Sequence, residues 1–210
     1  MRNGKRPQQG KIVLLHSGVL YPSPDRNPRE FFSALAELRK SDKISPGTLQ
    51  VILRASSSED LYRKLVLEHR IEDIVTLEPP IAYNQALAEM LSVDGLLIFQ
   101  GRDSNPAIPA KLYEYIRARR PIFALVDERG DTAALLREAK VGTLVPLDSS
   151  ERIASGLLDF LGQVRSGVAP VASDQEIGRH GRRNKACELA CLFDEIISGR
   201  EHDFRPSDYH

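Results

Sequence analysis

Two short apolar runs, residues 94–99 (D-G-L-L-I-F) and 121–126 (P-I-F-A-L-V), enclose a polar loop and a helical pattern across residues 105–121, N-P-A-I-P-A-K-L-Y-E-Y-I-R-A-R-R-P. Strands covered on both faces read as unbroken apolar runs, and two such strands joined through a helix must lie parallel. The stretch therefore predicts a βαβ unit, with its helix over residues 109–118 and Pro109 at the start. In parallel sheets, ligands gather beyond the carboxyl ends of the strands, where helix N-termini favour anions. This helix puts Lys111 and Glu114 on one face, at i and i+3, and Ile108, Leu112, Tyr115 and Ile116 on a separate apolar stripe. A cation near a helix start and a carboxylate one turn later suit a phosphate beside a ribose hydroxyl. The same pair on a plain solvated face would stabilise the helix by only roughly 0.2–0.5 kcal/mol. The preceding strand and loop favour the ligand reading.

The rest of the chain keeps the alternation. Strands are expected at residues 12–15, 49–53, 73–77, 95–99, 122–126 and 143–146. Helices are expected at residues 28–39, 58–69, 83–91, 109–118, 131–138 and 150–164. Asn27 is the expected N-cap of the first helix with Pro28 at its first position, and Ser57 and Asp60 are spaced as a capping pair for the second. In the sixth, Ile153, Leu157, Leu158 and Leu161 share a side. Six strands alternating with helices imply an α/β fold, a doubly wound parallel six-stranded sheet. Residues 11–165 would form this Rossmann-like domain, and the small-residue stretch S-G-V-A-P-V-A-S at 166–173 a hinge. One long helix is expected over 174–198, and a flexible tail over 199–210.

The helix of the first βαβ unit resembles one in the C-terminal, donor-binding domain of GT-B glycosyltransferases, above all the retaining, nucleotide-sugar-dependent enzymes of the group 1 type. In those proteins K-x-x-E-Y-x-A-x-x-x-P follows the fourth strand of the second domain; here Lys111, Glu114, Tyr115 and Pro121 stand at its positions, with Arg117 where the pattern has alanine and Ala118 one residue later. Upstream, H-S-G-V-L-Y at residues 16–21 and Arg26-Asn27-Pro28 look like the family's first strand, its glycine turn and a basic residue on phosphate. The likeness spans about residues 11–161. It implies that Glu114 binds the ribose, and that Gly18, Arg26, Lys111 and the helix start at Ile108 and Pro109 hold the diphosphate. It also implies that the base lies near Arg54–Ser56 and Leu77–Pro80. The family's second acidic residue, eight positions before the ribose glutamate, is Pro106 here. The sugar would then be held by Asp103, or by backbone groups beginning at Asn105.

The resemblance implies transfer of a sugar from a nucleoside-diphosphate sugar, such as one of UDP or GDP, to an acceptor hydroxyl, in polysaccharide or glycoconjugate synthesis. No metal is implied: lysine, arginine and helix amides neutralise the leaving diphosphate. No general base is evident in the chain, so catalytic groups are expected on an acceptor-binding N-terminal domain, with residues 1–10 a remnant of the linker to it. Such a half alone would bind nucleotide and transfer nothing. A sugar-nucleotide 2-epimerase shares the two-domain architecture and stands as an alternative, as does a non-enzymatic nucleotide-binding α/β domain. A receiver domain needs an acidic pocket after its first strand, which His16-Ser17-Gly18 does not supply.

Composition narrows the classes further. Twenty-nine Lys and Arg balance 29 Asp and Glu, so no general attraction to nucleic acid is expected. The absence of G-x-G-x-x-G argues against a dinucleotide site for NAD, and no serine has a G-x-S-x-G context. The five histidines, at 16, 69, 180, 202 and 210, lack metal spacing, and His16 reads as a satisfied structural residue beside the site. Cys187 and Cys191 form no disulfide framework, read as packing in the last helix and fit a reducing cytoplasm. The basic run at 179–185 reads as a solvated helix face, or as a contact for acidic protein surface or anionic lipid headgroups at the inner membrane face.

Overall fold

The computed structural model describes residues 10–23, 26–179 and 181–197. All but Gly10 of the expected linker, the tail over 199–210 and His180 lie outside the described residues. The chain divides into two compact units, Met1–Ala172 and Ser173–His210.

The first unit alternates strands and helices as expected. The strands are β1 (Ile12–Ser17), β2 (Leu49–Arg54), β3 (Val75–Glu78), β4 (Gly95–Gln100), β5 (Ile122–Val126) and β6 (Thr143–Val145). Between and after them run α1 (Arg29–Lys40), α2 (Glu59–Glu68), α3 (Tyr83–Ser92), α4 (Ala110–Ala118), α5 (Asp131–Glu138) and α6 (Ser150–Ser166). The strands form one six-stranded sheet in the order β3-β2-β1-β4-β5-β6, parallel throughout. Every residue of β4 and β5 is buried, which is why those two strands read as continuous apolar runs.

Helices cover both faces of the sheet. Phe31, Phe32 and Leu35 of α1, Tyr62 and Leu65 of α2, and Leu157, Phe160 and Leu161 of α6 pack with Leu14, Val51, Leu97, Phe99 and Phe123 in one core. Alternation along the strands sends Leu15, Leu96, Ile98 and Ala124 to the opposite face. Buried there are also Leu112, Tyr115 and Ile116 of α4 and Ala133 and Leu136 of α5, the stripes that the helical period singled out.

Several boundaries move for local reasons. The Pro28 carbonyl accepts from Phe32 N–H at 2.9 Å, so Pro28 is the cap and α1 starts at Arg29, while Asn27 Oδ1 still accepts from Arg29 N–H at 3.0 Å. Likewise Pro109 is the cap of α4 rather than its first residue. The capping pair at α2 does not form: Ser57 is left-handed, with φ +63°, and Ser58 caps without a side-chain bond. β3 begins at Val75 because the amides of Ile74 and Val75 both turn back to the Ile71 carbonyl.

In the second unit, the single long helix expected over 174–198 is two, α7 (Asp174–Arg179) and α8 (Arg182–Ile197). Gly181 N–H bonds the Gly178 carbonyl at 3.0 Å at the break. Each glycine lowers helix stability by about 1 kcal/mol relative to alanine, and two of them three residues apart end the run. Cys187 and Cys191 are exposed, not packed in a core. Among the described residues, no helix is long and apolar enough to cross a membrane.

Candidate functional site

The sheet order places one crevice in a special position. From β1 the chain first adds β2 and β3 on one side, then returns to add β4 on the other. At such a switch point the crossover helices leave in opposite directions, opening a crevice beyond the strand ends. Gly18 follows β1 there with φ +108°, a conformation that side chains rarely adopt, and its N–H bonds the Arg54 carbonyl at 2.9 Å. A Cβ on Gly18 would lie 3.2 Å from Lys111 Nζ. The first strand and the second residue of α4 thus meet across 93 residues of sequence.

Lys111 is held from below. His16, 2% exposed, places Nε2 3.1 Å from Lys111 Nζ and Nδ1 3.0 Å from the Leu97 carbonyl, with its ring edge-on to Phe99. A carbonyl can only accept, so Nδ1 carries the proton and donates, and Nε2 accepts from the ammonium. Burial, helped by the charge of Lys111, pushes the His16 pKa down from 6.5 to about 3, which keeps the imidazole neutral. Burial also lowers Lys111 to about 8, with the charge of Arg26 adding to the shift and Glu114 opposing it. One residue further along β1, Ser17 N–H donates to Tyr115 Oη at 2.9 Å, pinning α4 against the strand.

This corner concentrates positive potential. Arg26 is close enough to depress Lys111, and its guanidinium lies 5.2 Å from the centroid of the Tyr21 ring. α4 starts after Ile108 and Pro109 without a side-chain cap, so its positive end adds to the two cations. Among the described residues, no carboxylate forms an ion pair with Lys111. Of the residues expected to hold a diphosphate, Gly18, Lys111 and the helix start at Ile108 and Pro109 lie together, and Arg26 is near enough to act on the charge of Lys111.

The other expected residues spread out. Glu114 lines a groove of about 320 Å³ between α3 and α4 with Leu87, Met90 and Arg117, and Tyr83 Oη donates to Glu114 Oε1 at 2.9 Å. Tyr83, which also lines the groove, is 66% exposed. Arg54 is engaged: its guanidinium donates to both carboxylate oxygens of Glu89, at 2.8 and 2.5 Å, and to the Pro79 carbonyl at 2.9 Å, with Glu78 3.7 Å away. It therefore clasps the ends of β2 and β3 to α3. Leu77 packs against the core.

A larger cavity, about 670 Å³, lies past the ends of β4, β5 and β6. Asp103 lines it together with Arg29, Arg102, Asp127, Asp148 and Arg152, none of the last five singled out by the sequence. Asn105 is turned to structural work: its Nδ2 donates to Asp127 Oδ2 at 3.2 Å, and its carbonyl accepts from Asp131 N–H at 3.0 Å. The Asp127 carboxylate is held below its usual range by the Arg129 amide, with Asn105 and the Arg129 charge adding. Arg152 pairs with Glu128 at 2.8 Å. The signal that marks this rim is the charged residues directly following each strand, a pattern without helical or strand period. Among the described residues, no three His, Cys, Asp or Glu side chains come together to hold a metal ion.

No family model and no curated protein matches the chain by sequence. Solved structures do match it by fold. A glycosyltransferase from Rickettsia africae superposes with a TM-score of 0.70 at 10% identity, covering 92% of this chain and 49% of that one. The C-terminal domain of a glycosyl transferase group 1 family protein from Francisella tularensis, at 18% identity and TM-score 0.55, is covered over 89% of its length by 80% of this chain. The fold is that of the C-terminal domain of a GT-B glycosyltransferase. Anabaena HepE, solved in complex with UDP-glucose, shares this GT-B fold with a TM-score of 0.58 at 15% identity, over 90% of this chain and 49% of its own. The chain thus spans about half the length of these two proteins.

Proposed function

We propose that this chain is the nucleotide-sugar-binding half of a glycosyltransferase, with the diphosphate of a UDP or GDP sugar seated over Gly18. The observation that supports this reading best is the Lys111 ammonium beside a left-handed glycine at the switch point and the uncapped start of α4, with Arg26 near enough to bear on its charge. Breaking the sugar–phosphate bond leaves negative charge on the departing diphosphate. Lys111, Arg26 and the positive end of α4 meet that charge and need no metal to do so. Glu114 accepts from the ribose hydroxyls, and the base lies along the α3 side, toward Arg54 and Leu77. The sugar extends toward Asp103 and the larger cavity, and Asn105 shapes that wall through Asp127.

The acceptor and the groups that act on it belong to a second domain, so this half alone binds the donor and transfers nothing. Retention of configuration, a cytoplasmic setting with contact to the inner membrane face, and a role in cell-surface polysaccharide or glycoconjugate synthesis complete the proposal. Isothermal titration tests it: UDP or GDP should bind at micromolar to millimolar strength and NAD far more weakly. Equal affinity for all three, or no binding of any, would contradict it.

A further inference from the structure

His16 is the least expected member of the corner. A histidine at a strand end most often fills the core, and its burial and edge-on contact with Phe99 fit that role. Its hydrogen bonds point to more. The Leu97 carbonyl fixes the proton on Nδ1, which leaves the Nε2 lone pair aimed at Lys111 Nζ 3.1 Å away. Lysine carries four flexible methylenes, and ordering them ordinarily costs side-chain entropy. Here the ammonium is already held over Gly18, near enough that a methyl group in place of the glycine hydrogen would touch it. An ammonium has three donors. Among the described residues, His16 takes one, and two remain for a ligand.

We propose that His16 is a positioning residue, which holds the Lys111 ammonium as a preformed two-donor phosphate clamp above Gly18. The proposal rests on the reading of Lys111 as a diphosphate ligand and adds how that ligand is made ready. A neutral imidazole suits the task. It accepts a hydrogen bond without neutralising the lysine, whereas a carboxylate at the same position would cancel the charge that attracts phosphate. A protonated imidazole would repel the ammonium. The groups that bear on Lys111 electrostatically are His16 from β1, Arg26 from the segment before α1, and Glu114 on its own helix; Tyr115, also on α4, bonds Ser17 instead.

The test is a double-mutant cycle read by UDP binding, with uridine as the phosphate-free control. Lys111→Met should weaken UDP by about tenfold or more and leave uridine unchanged, as expected for a charge-assisted bond. His16→Phe keeps the ring packing and removes the acceptor. It should weaken UDP by about fivefold, spare uridine, and have no further effect in the Lys111→Met background. His16→Gln, whose amide oxygen reaches the Nε2 position, should recover part of the loss. In parallel, the carbon-13 signal of Lys111 Cε should titrate at a different pH in His16→Phe than in the wild type.

If Lys111→Met binds UDP like the wild type, the diphosphate assignment fails and the proposal with it. If Lys111→Met loses UDP but His16→Phe does not, the assignment stands and the clamp is overturned. The clamp is equally overturned if His16→Phe costs as much without Lys111 as with it, or weakens uridine alongside UDP. Should His16→Phe unfold, His16→Leu, which also lacks the acceptor, takes its place in the cycle and is read by the same criteria.

Discussion

Two regions of the same sheet edge differ in how they handle charge. At the β1–α4 corner, Lys111 is held by a neutral, buried His16 and lies near a second cation. At the β4–β6 cavity, twice as large as the α3–α4 groove, arginines and carboxylates alternate and pair with one another, Arg152 with Glu128 and Arg129 with Asp127. The first arrangement holds the Lys111 ammonium in place without an ion pair among the described residues, which suits anion binding. In the second, Arg129 and Arg152 already have carboxylate partners. Cavity volume alone would favour the second region, whereas the proposed site rests on the hydrogen-bond chemistry of the first.

Breaking the corner at its backbone should have the largest effect. Gly18→Val places a branched side chain at φ +108°, against Lys111 Nζ. It should abolish measurable UDP binding and lower stability by about 1–3 kcal/mol, as read by calorimetry and denaturant unfolding. Glu114→Ala comes next, losing about 1–3 kcal/mol of UDP binding together with the preference for UDP over its 2′-deoxy form. Folding should be little affected, because Glu114 lies off the apolar stripe that α4 buries.

The pH dependence sharpens the contrast further. The Lys111 pKa is lowered to about 8, so the lysine is charged below that pH and neutral above it. UDP binding should therefore hold steady just below pH 8 and fall as pH rises through it, by up to about tenfold if one charge-assisted bond is lost. Stability changes in the opposite pH range. His16 has a folded pKa of about 3 against 6.5 when unfolded, so the unfolded state binds the proton first. Stability is full above pH 6.5 and should decline as pH falls from there toward 3. The smallest effect belongs to the other region: Arg152→Ala removes an exposed pair with Glu128 and should change UDP affinity by less than about 0.5 kcal/mol.

The sequence made the two kinds of structure unequally legible. Strand positions and the sheet class followed from local period, because β4 and β5 are buried on both faces and α4 buries one stripe. The glycine, the lysine and the arginine of the corner were candidates through the family resemblance and their place after a strand or before a helix. What could not be read was distance. Lys111 touches Gly18 and His16, and Arg54 is bound to Glu89, through tertiary packing that no local spacing encodes. His16 looked structural, since nothing in its neighbourhood in the chain announces an ammonium. The break in the final helix is hidden because a helix tolerates single glycines, and only Gly178 and Gly181 together end the run. The rim of the larger cavity was invisible because its residues, such as Arg102, Asp127 and Asp148, follow three different strands.

The central claim is that nucleotide binds at the β1–α4 corner and not in the larger cavity. Titrating isotope-labelled protein with UDP and following backbone amide signals tests it most directly. Gly18, Lys111 and Glu114 should shift together along one saturable curve, while Arg29, Arg129 and Arg152 move little. Shifts centred on Arg102, Asp127 and Arg152, with Gly18 and Lys111 unmoved, would contradict it.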